Sequence, residues 1–168
     1  SSINAGGATV QLTSSDAITG AGLITGATVL FDASNGVAAN TDANVLDATN
    51  IGAGVSGNIA VTNSGPTVFT ADNDTVGGTI QLTNTGGDLR VGGAGVISID
   101  GAVSLSTLVS GNIDLTGAVT AGASTATITS TDAVNGAGLL SASTVDLDAQ
   151  DGIGGIVALN TASGALTA

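Results

Sequence analysis

The chain has 168 residues, a formal net charge of −12 and a single cation, Arg90. Nucleic acids and anionic membrane surfaces are bound through Lys and Arg, so this charge balance excludes both as expected partners. Cysteine is absent, which excludes disulfides and thiolate metal sites. No uninterrupted apolar run approaches the ~18 residues of a membrane span, so membrane insertion is not expected either.

The residue types favour β-structure over helix. Glu, Lys and Met, which normally cover helix surfaces, are absent, whereas Val, Ile and Thr are abundant. Apolar residues make up 42% of the chain and recur on a pattern, which argues against a disordered linker. We therefore expect one all-β segment over residues 1–168.

A long phrase occurs twice. Residues Thr13–Val37 read TSSDAITGAGLITGATVLFDASNGV, and residues Thr129–Ile153 read TSTDAVNGAGLLSASTVDLDAQDGI, with no gap between the two in alignment. Repeats of this kind are typical of solenoid proteins, in which each repeat is stacked on its neighbours. The two copies are predicted to be two coils of one rod.

Short strand-like units recur along the whole chain. Each has two apolar residues at positions i and i+2, which the alternation of a strand places on one face. In chain order the pairs are Val10/Leu12, Val29/Phe31, a weaker one at Leu46, Ile59/Val61, Ile80/Leu82, Ile97/Ile99, Ile113/Leu115, Ala126/Ile128 and Val145/Leu147. If the second residue of each pair marks the same point of every coil, the coils are about 13 to 21 residues long, as in solenoid repeats.

Further short apolar steps lie between these units, at Ile18 and Ile24 in the first copy of the phrase and at Val134 and Leu140 in the second. Gly, Asn and Asp separate the steps and are suited to tight corners. The pattern predicts a single-stranded parallel β-helix, or solenoid, of about eight or nine coils. The preference of parallel crossovers for right-handed connections favours right-handed winding.

The residue after each marker is expected to face outward. In a regular solenoid these residues form one exterior column, comprising Thr13, Asp32, Asp47, Thr62, Thr83, Asp100, Thr116, Thr129 and Asp148. Leu30 is an apolar exception at an outward position between Val29 and Phe31. It is either an isolated surface leucine or part of a contact patch.

Two groups of acidic residues offer closely spaced oxygen ligands of the kind that calcium binds. Asp72 and Asp74 flank Asn73, and Asp146 and Asp148 share one face of a predicted strand, with Asp151 nearby. Asp and Asn also stabilise turns through hydrogen bonds to their own backbone, and we favour that interpretation over a specific site. No metal or cofactor is therefore expected. The alternative is a surface calcium ion near Asp72 and Asp74 or near Asp146 and Asp148.

Two other motifs have simple structural interpretations. The glycines of Gly86-Gly87 and Gly92-Gly93-Ala94-Gly95 precede neither a helix nor a lysine, so they are corner residues rather than phosphate loops. Four threonines alternate from Thr125 to Thr131, as on an ice-binding face. A true ice-binding face needs the same pattern on successive coils, where this chain has Gln81, Asp114 and Asp146.

Catalysis is not expected. Acid–base and nucleophilic catalysis usually draw on His, Cys, Lys, Tyr or a pair of carboxylates. The chain offers only Asp and hydroxyl side chains, and it lacks the Trp, Tyr and Lys that usually form a platform for sugars. No catalytic or cofactor-binding residue is therefore assigned.

The two phrases SSDAITGAGLITGATVLFDASNG and STDAVNGAGLLSASTVDLDAQDGIGG resemble the repeat region of filamentous-haemagglutinin-like bacterial exoproteins. The resemblance covers essentially the whole chain and implies a right-handed parallel β-helix exported by two-partner secretion or an autotransporter-like route. No Arg-Gly-Asp tripeptide or basic patch is present, so no adhesive residue carries over.

The expected function is a non-catalytic shaft segment of a secreted bacterial surface adhesin or extracellular fibre. Neither end of the sequence carries an evident cap, so we expect a fragment or repeat unit of a longer fibrous protein. Its expected partners are neighbouring coils or identical chains at its ends, and host or cell-surface molecules bound through regions outside this chain. The alternatives are a ligand-binding solenoid for ice, glycan or calcium, and a subunit that assembles end to end into filaments.

Overall fold

The structure is a computed structural model that describes residues 1–52, 57–155 and 159–168. These residues form strands and turns, and they include no helix of the length and hydropathy that crosses a bilayer. The strands are β1 (Ile3–Asn4), β2 (Thr9–Ser14), β3 (Ile18–Ala33), β4 (Val37–Asn50), β5 (Ile59–Asn63), β6 (Thr67–Asn73), β7 (Ile80–Asn84), β8 (Leu89–Ser98), β9 (Val103–Thr107), β10 (Ile113–Leu115), β11 (Val119–Thr120), β12 (Thr125–Ser130), β13 (Val134–Asn135), β14 (Leu139–Ala149) and β15 (Asn160–Thr167).

The strands pair in parallel with strands one coil earlier and one coil later, except that β1, β2, β13 and β15 have one partner strand each among the described residues, and this is the arrangement of a β-solenoid. The predicted fold is confirmed, with about eight coils. One residue from each coil forms a continuous internal column, which we call the Ile18 column. Its members are Ile18, Val37, Ile59, Ile80, Val103, Ala126, Val145 and Leu166. Right-handed winding stays a prediction.

The coils are longer than the markers predict. The spacing along the chain is smallest for pairs such as Ile24 and Thr41 and largest for pairs such as Ala71 and Val96. These spacings correspond to coils of about 17 to 25 residues, typical of solenoid repeats.

The predicted lengths were wrong because the markers belong to several columns, on more than one face of the rod, rather than to one column. Leu12 pairs with Phe31, Leu46 pairs with Val29, and Leu115 pairs with Val91. A separate column contains Val61, Leu82, Leu105, Ile128 and Leu147.

The core consists of the inward residues of these strands. Most of the predicted inward residues are buried, among them Val29, Leu46, Leu82 and Ile128, each fully enclosed. Apolar side chains stacked on equivalent side chains one coil away remove nearly all of their surface from water, which is the main stabilising contribution in such a fold.

Ile97 and Ile99 were predicted to face inward, and this prediction is wrong. Both are exposed, at 37% and 43%, whereas Val96 and Ser98 are buried. The pairing shifts here, because residues 92–95 of β8 bulge out opposite the single residue Thr70 of β6. A shift of one residue moves every following side chain to the other face of a strand.

The two copies of the long phrase do form coils of the same size. Thr13 pairs with Asp32 and Thr129 pairs with Asp148, which is the same step along the chain in each copy. They lie on different faces of the rod, however. The column that starts at Leu12 and Phe31 continues through Ala48, Ala71, Val96, Val119 and Leu140. Ile128, the counterpart of Leu12, lies in the separate column with Leu147. The second copy of the phrase therefore lies on a different face of the rod from the first copy.

Candidate functional surfaces

Asp72 and Asp74 do not form a site with Asn73. Asn73 is fully buried, because alternation along β6 turns it to the inside while Asp72 faces outward. Burial raises the pKa of the Asp72 carboxyl, and the negative charges of Asp74 and Asp47 raise it further. Because Asn73 is buried, its amide oxygen is not available as a ligand beside Asp72 and Asp74.

Asp146 and Asp148 share the outer face of β14, as predicted. Asp146 pairs with Thr127 on one side and Thr167 on the other, and Asp148 pairs with Thr129. Within residues 1–52, 57–155 and 159–168, no group of three or more acidic side chains is placed to hold a metal ion. The geometry of the described residues thus offers two carboxylates here rather than a calcium cage.

The nine outward residues do not form one column. Thr62, Thr83, Thr129 and Asp148 do share a column, together with Asn40 and Ser106. Thr13 pairs with Asp32 in another column, and Asp47 lies in a third, paired with Leu30 and Thr70. Asp100 follows β8 in a bend. The prediction of a single exterior column was wrong because the markers belong to different columns, on more than one face.

Leu30 is half-buried rather than free on the surface. It lies between Gln11 and Asp47 of the neighbouring coils. The described large apolar side chains that are more than half exposed lie elsewhere, in turns and loops and at the last strand: Ile51, Val76, Leu108, Val109 and Leu166. Leu30 therefore does not form the centre of an apolar contact patch.

The alternating threonines do not continue as a regular array. Thr127 lies in an outer column with Gln81, Ser104 and Asp146, as expected for two of the three interrupting residues. Asp114 lies on another face, where it pairs with Arg90 and Asn135. Its carboxylate is 3.8 Å from Nε of Arg90, the sole cation of the chain.

The glycine pairs are corner residues, as predicted. Gly87 and Gly95 have φ angles of 77° and 89°, a region that favours glycine. A Cβ atom on Gly95 would lie 2.6 Å from the carbonyl oxygen of Ala118. Gly95 is thus required both for its backbone conformation and for the close approach of the next coil.

Two internal ladders of polar side chains were not predicted. In the first, the Thr41 hydroxyl donates to Oδ1 of Asn63 at 2.8 Å, and Nδ2 of Asn63 donates to Oδ1 of Asn84 at 3.1 Å. In the second, Nδ2 of Asn50 donates to Oδ1 of Asn73 at 3.0 Å. These buried amides satisfy one another from coil to coil and also bond backbone groups in the corners.

A signal for the first ladder exists in the sequence. The segments Ile59–Asn63 (IAVTN) and Ile80–Asn84 (IQLTN) both place Asn two residues after the second inward apolar residue. Strand alternation therefore assigns those asparagines to the inside.

A shallow groove crosses four coils on the side of the rod that carries the Ile18 column. Its volume is about 390 Å³. Small residues leave the groove open, and amide and hydroxyl side chains surround it. The small lining residues include Gly20, Ala21, Ala38 and Ala60, and the polar ones are Asn40, Thr62, Gln81 and Thr83. Nδ2 of Asn40 already donates to the carbonyl oxygen of Ala21 at 3.2 Å.

The first coil leaves its apolar interior open at the end of the rod. Leu12 and Ile18 are only partly buried, and with Ile3, Ile24 and Ala39 they line a cavity of about 340 Å³. At the other end Leu166 is 55% exposed. Another coil placed against either end would cover these residues.

Comparisons of the chain with protein-family models, with curated proteins and with solved structures gave no significant match.

Proposed function

We propose that this chain is a non-catalytic shaft segment of a secreted bacterial surface adhesin or extracellular fibre. The observation that carries the proposal is the Ile18 column, which runs without interruption through eight coils. At ~4.8 Å per coil, eight coils give a rod roughly 40 Å long.

The composition and the sequence phrases support the same proposal. A chain without His, Cys, Lys or Tyr is poorly equipped for catalysis. Its acidic surface keeps a β-rich segment soluble, which an extracellular rod requires. The likeness of the two long phrases to filamentous-haemagglutinin-like repeats is the basis for the bacterial surface in this proposal.

Surface labelling tests the proposed location. Antibodies raised against the purified chain should label intact cells of the source organism or its shed fibres, and brief protease treatment of intact cells should remove the label. Antibodies against a cytosolic protein serve as the control and should label only permeabilised cells. Labelling confined to permeabilised cells would contradict the proposal.

A second candidate function is ligand binding, favoured by the groove that Asn40, Thr62, Gln81 and Thr83 help to line. Neutral amides and hydroxyls suit a polyhydroxylated ligand such as a glycan. Calorimetry with neutral oligosaccharides and with calcium, together with an ice-recrystallisation assay, covers the three ligand classes. Binding heat that Gln81→Ala abolishes and the matched outward change Gln11→Ala preserves would favour this function over the shaft.

A further inference from the structure

Two asparagines of the chain directly precede a glycine, and they differ in exposure. Asn35 precedes Gly36, and Asn135 precedes Gly136. Asparagine is a chemically labile residue, above all before glycine, because a glycine without a side chain lets its backbone nitrogen reach the amide carbon of the preceding side chain. Asn35 is exposed, whereas Asn135 is only 7% exposed. Of the two, Asn35 is therefore the one that water and base can reach.

Asn35 lies at a corner on the side of the rod, between Asp16 of the preceding coil and Asn58 of the following one. Its Nδ2 donates to Oδ1 of Asp16 at 2.6 Å, in a bond between two exposed side chains. The N–H of Gly36 donates to Oδ1 of the buried Asn50 at 2.8 Å. Both bonds restrain the groups that would react, but the first competes with water and opens more easily.

The second copy of the repeated phrase has an aspartate at this corner. At the positions of Asn35 and Gly36 it carries Asp151 and Gly152. The two corners have the same backbone, since both glycines have a φ of 108°. In each copy the carbonyl of this glycine also accepts a strand N–H, at 3.0 Å in the first and 3.1 Å in the second. Aspartate in place of Asn35 is therefore compatible with the corner.

We propose that Asn35 is a site of spontaneous deamidation in the folded protein. The backbone nitrogen of Gly36 attacks the side-chain amide carbon of Asn35, so that a new C–N bond closes a cyclic succinimide. The amide nitrogen leaves as ammonia, and it takes up the proton that Gly36 loses. Water then opens the succinimide at either carbonyl, which yields aspartate or isoaspartate. This modification goes beyond the proposed function and does not depend on it.

The reaction replaces a hydrogen bond with a repulsion. The bond from the Asn35 side chain is the main cause that lowers the pKa of the Asp16 carboxyl. After deamidation two carboxylates face each other, so the pKa of Asp16 should rise. Isoaspartate also lengthens the backbone by one methylene group and displaces the N–H of Gly36 from Asn50. The isoaspartate product should therefore open more easily at this corner than the aspartate product.

Mass spectrometry tests the site directly. The folded chain is kept in mildly alkaline buffer at body temperature for several weeks, and samples are denatured and cut with trypsin. Cleavage after Arg90, the sole cation, puts Asn35 in one fragment and Asn135 in the other. Deamidation raises the mass of a fragment, whereas isomerisation of an existing aspartate does not. We expect the fragment with Asn35 to gain mass several times faster than the fragment with Asn135.

Three variants test the assignment and the restraint. Asn35→Gln keeps an amide but forms a cyclic imide much more slowly, so it should abolish the gain. Asp16→Ala frees the Asn35 side chain and removes a negative charge from the reacting groups, so it should raise the rate severalfold. Asp16→Asn removes only the charge and should give an intermediate rate. Circular dichroism checks that each variant is folded.

Several outcomes would overturn the proposal. These are an unchanged mass of the first fragment, equal gains in both fragments, and a gain that persists in Asn35→Gln. An unchanged or slower rate in both Asp16 variants would refute the restraint by Asp16.

Discussion

Asn73 shows how one residue can look like a ligand in sequence and act as a structural support in the fold. Its neighbours Asp72 and Asp74 suggest an oxygen-rich cluster, but alternation along β6 sends the amide inside. There Oδ1 accepts from Nδ2 of Asn50 at 3.0 Å and from the Thr75 hydroxyl at 2.7 Å, and Nδ2 donates to Gly57. A buried amide with this many partners stabilises the corner between two coils.

We expect Asn73→Ala to lower the free energy of unfolding by about 2–4 kcal/mol, since it leaves several buried polar groups without a partner. Urea denaturation followed by circular dichroism measures the change. Asp74→Ala, one residue along and exposed, is the matched control and should change stability by less than about 0.5 kcal/mol. Equal effects of the two substitutions would contradict the ladder.

The aspartates differ in how they respond to acid. The pKa of Asp72 lies above its ordinary value of 3.8, chiefly through burial, so its charged form opposes folding at neutral pH. Its unfavourable contribution fades as pH falls through the raised pKa towards 3.8. Asp16 behaves oppositely, because hydrogen bonds from the Asn35 side chain and the Ala17 backbone lower its pKa. Its contribution to stability is lost as pH falls through that lowered pKa.

Asp72→Asn should therefore stabilise the protein at pH 7 by a few tenths of a kcal/mol, a small effect because the side chain keeps contact with solvent. The gain should disappear as the pH is lowered below 3.8, where the carboxyl is protonated in both the folded and the unfolded chain. Urea denaturation of both proteins at pH 7 and at acidic pH measures it. A stabilisation independent of pH would contradict the assignment.

At the level of single strands and corners, the pairing register between β6 and β8 changes at residues 92–95. β6 has the single residue Thr70 between Phe69 and Ala71, whereas β8 has residues 92–95 between their partners Val91 and Val96. Glycine permits this corner, since Gly95 has a positive φ and contacts the next coil. Gly93 lies in the same corner with open space around its Cβ position.

Gly95→Ala should destabilise the protein by roughly 2–4 kcal/mol, from backbone strain plus a clash with the carbonyl of Ala118. Gly93→Ala should change stability by less than about 1 kcal/mol. Thermal unfolding of the two variants under the same conditions makes the comparison. If Gly93→Ala proved the more harmful, the placement of this corner would be wrong.

The sequence predicts the strand type, the parallel stacking and most of the inward residues, because the i, i+2 pattern is a local property of each strand. It does not predict which strands share a face. Ile97 and Ile99 carry a perfect inward pattern, yet the insertion before them turns them outward. That outcome depends on how β8 meets β6 one coil earlier, which no local pattern encodes.

The candidate surfaces were less predictable than the fold. The pair Asp146 and Asp148 was placed correctly on one face, because alternation alone determines it. The groove beside Asn40 and Gln81 was missed, since it arises from small residues on three different coils. Recognising it requires the pairing of Ala38 with Ala60, and hence the coil lengths.

For the whole molecule, the two copies of the repeated phrase form coils of equal length, but they do not occupy the same position around the rod. Both copies close a coil of the same length with a neighbouring strand, but they do so on different faces. A solenoid tolerates this because each coil contacts only its neighbours, so a coil of a given size fits wherever the adjacent coils accept it. Outward residues shared by the two copies, such as Leu23 and Leu139, therefore point in different directions around the rod.

The stacking of coils along the Ile18 column also predicts how the molecule should unfold when it is pulled by its two ends. Each coil is held to its neighbours by bonds that run along the direction of the force, so the outermost coil peels away before the next bears the load. One coil of about 17 to 25 residues, at ~3.3–3.6 Å of extended chain per residue, should release roughly 55–90 Å. Single-molecule force spectroscopy should record a series of small, similar force drops, and one large rupture would show that the coils share tension instead of unspooling in turn.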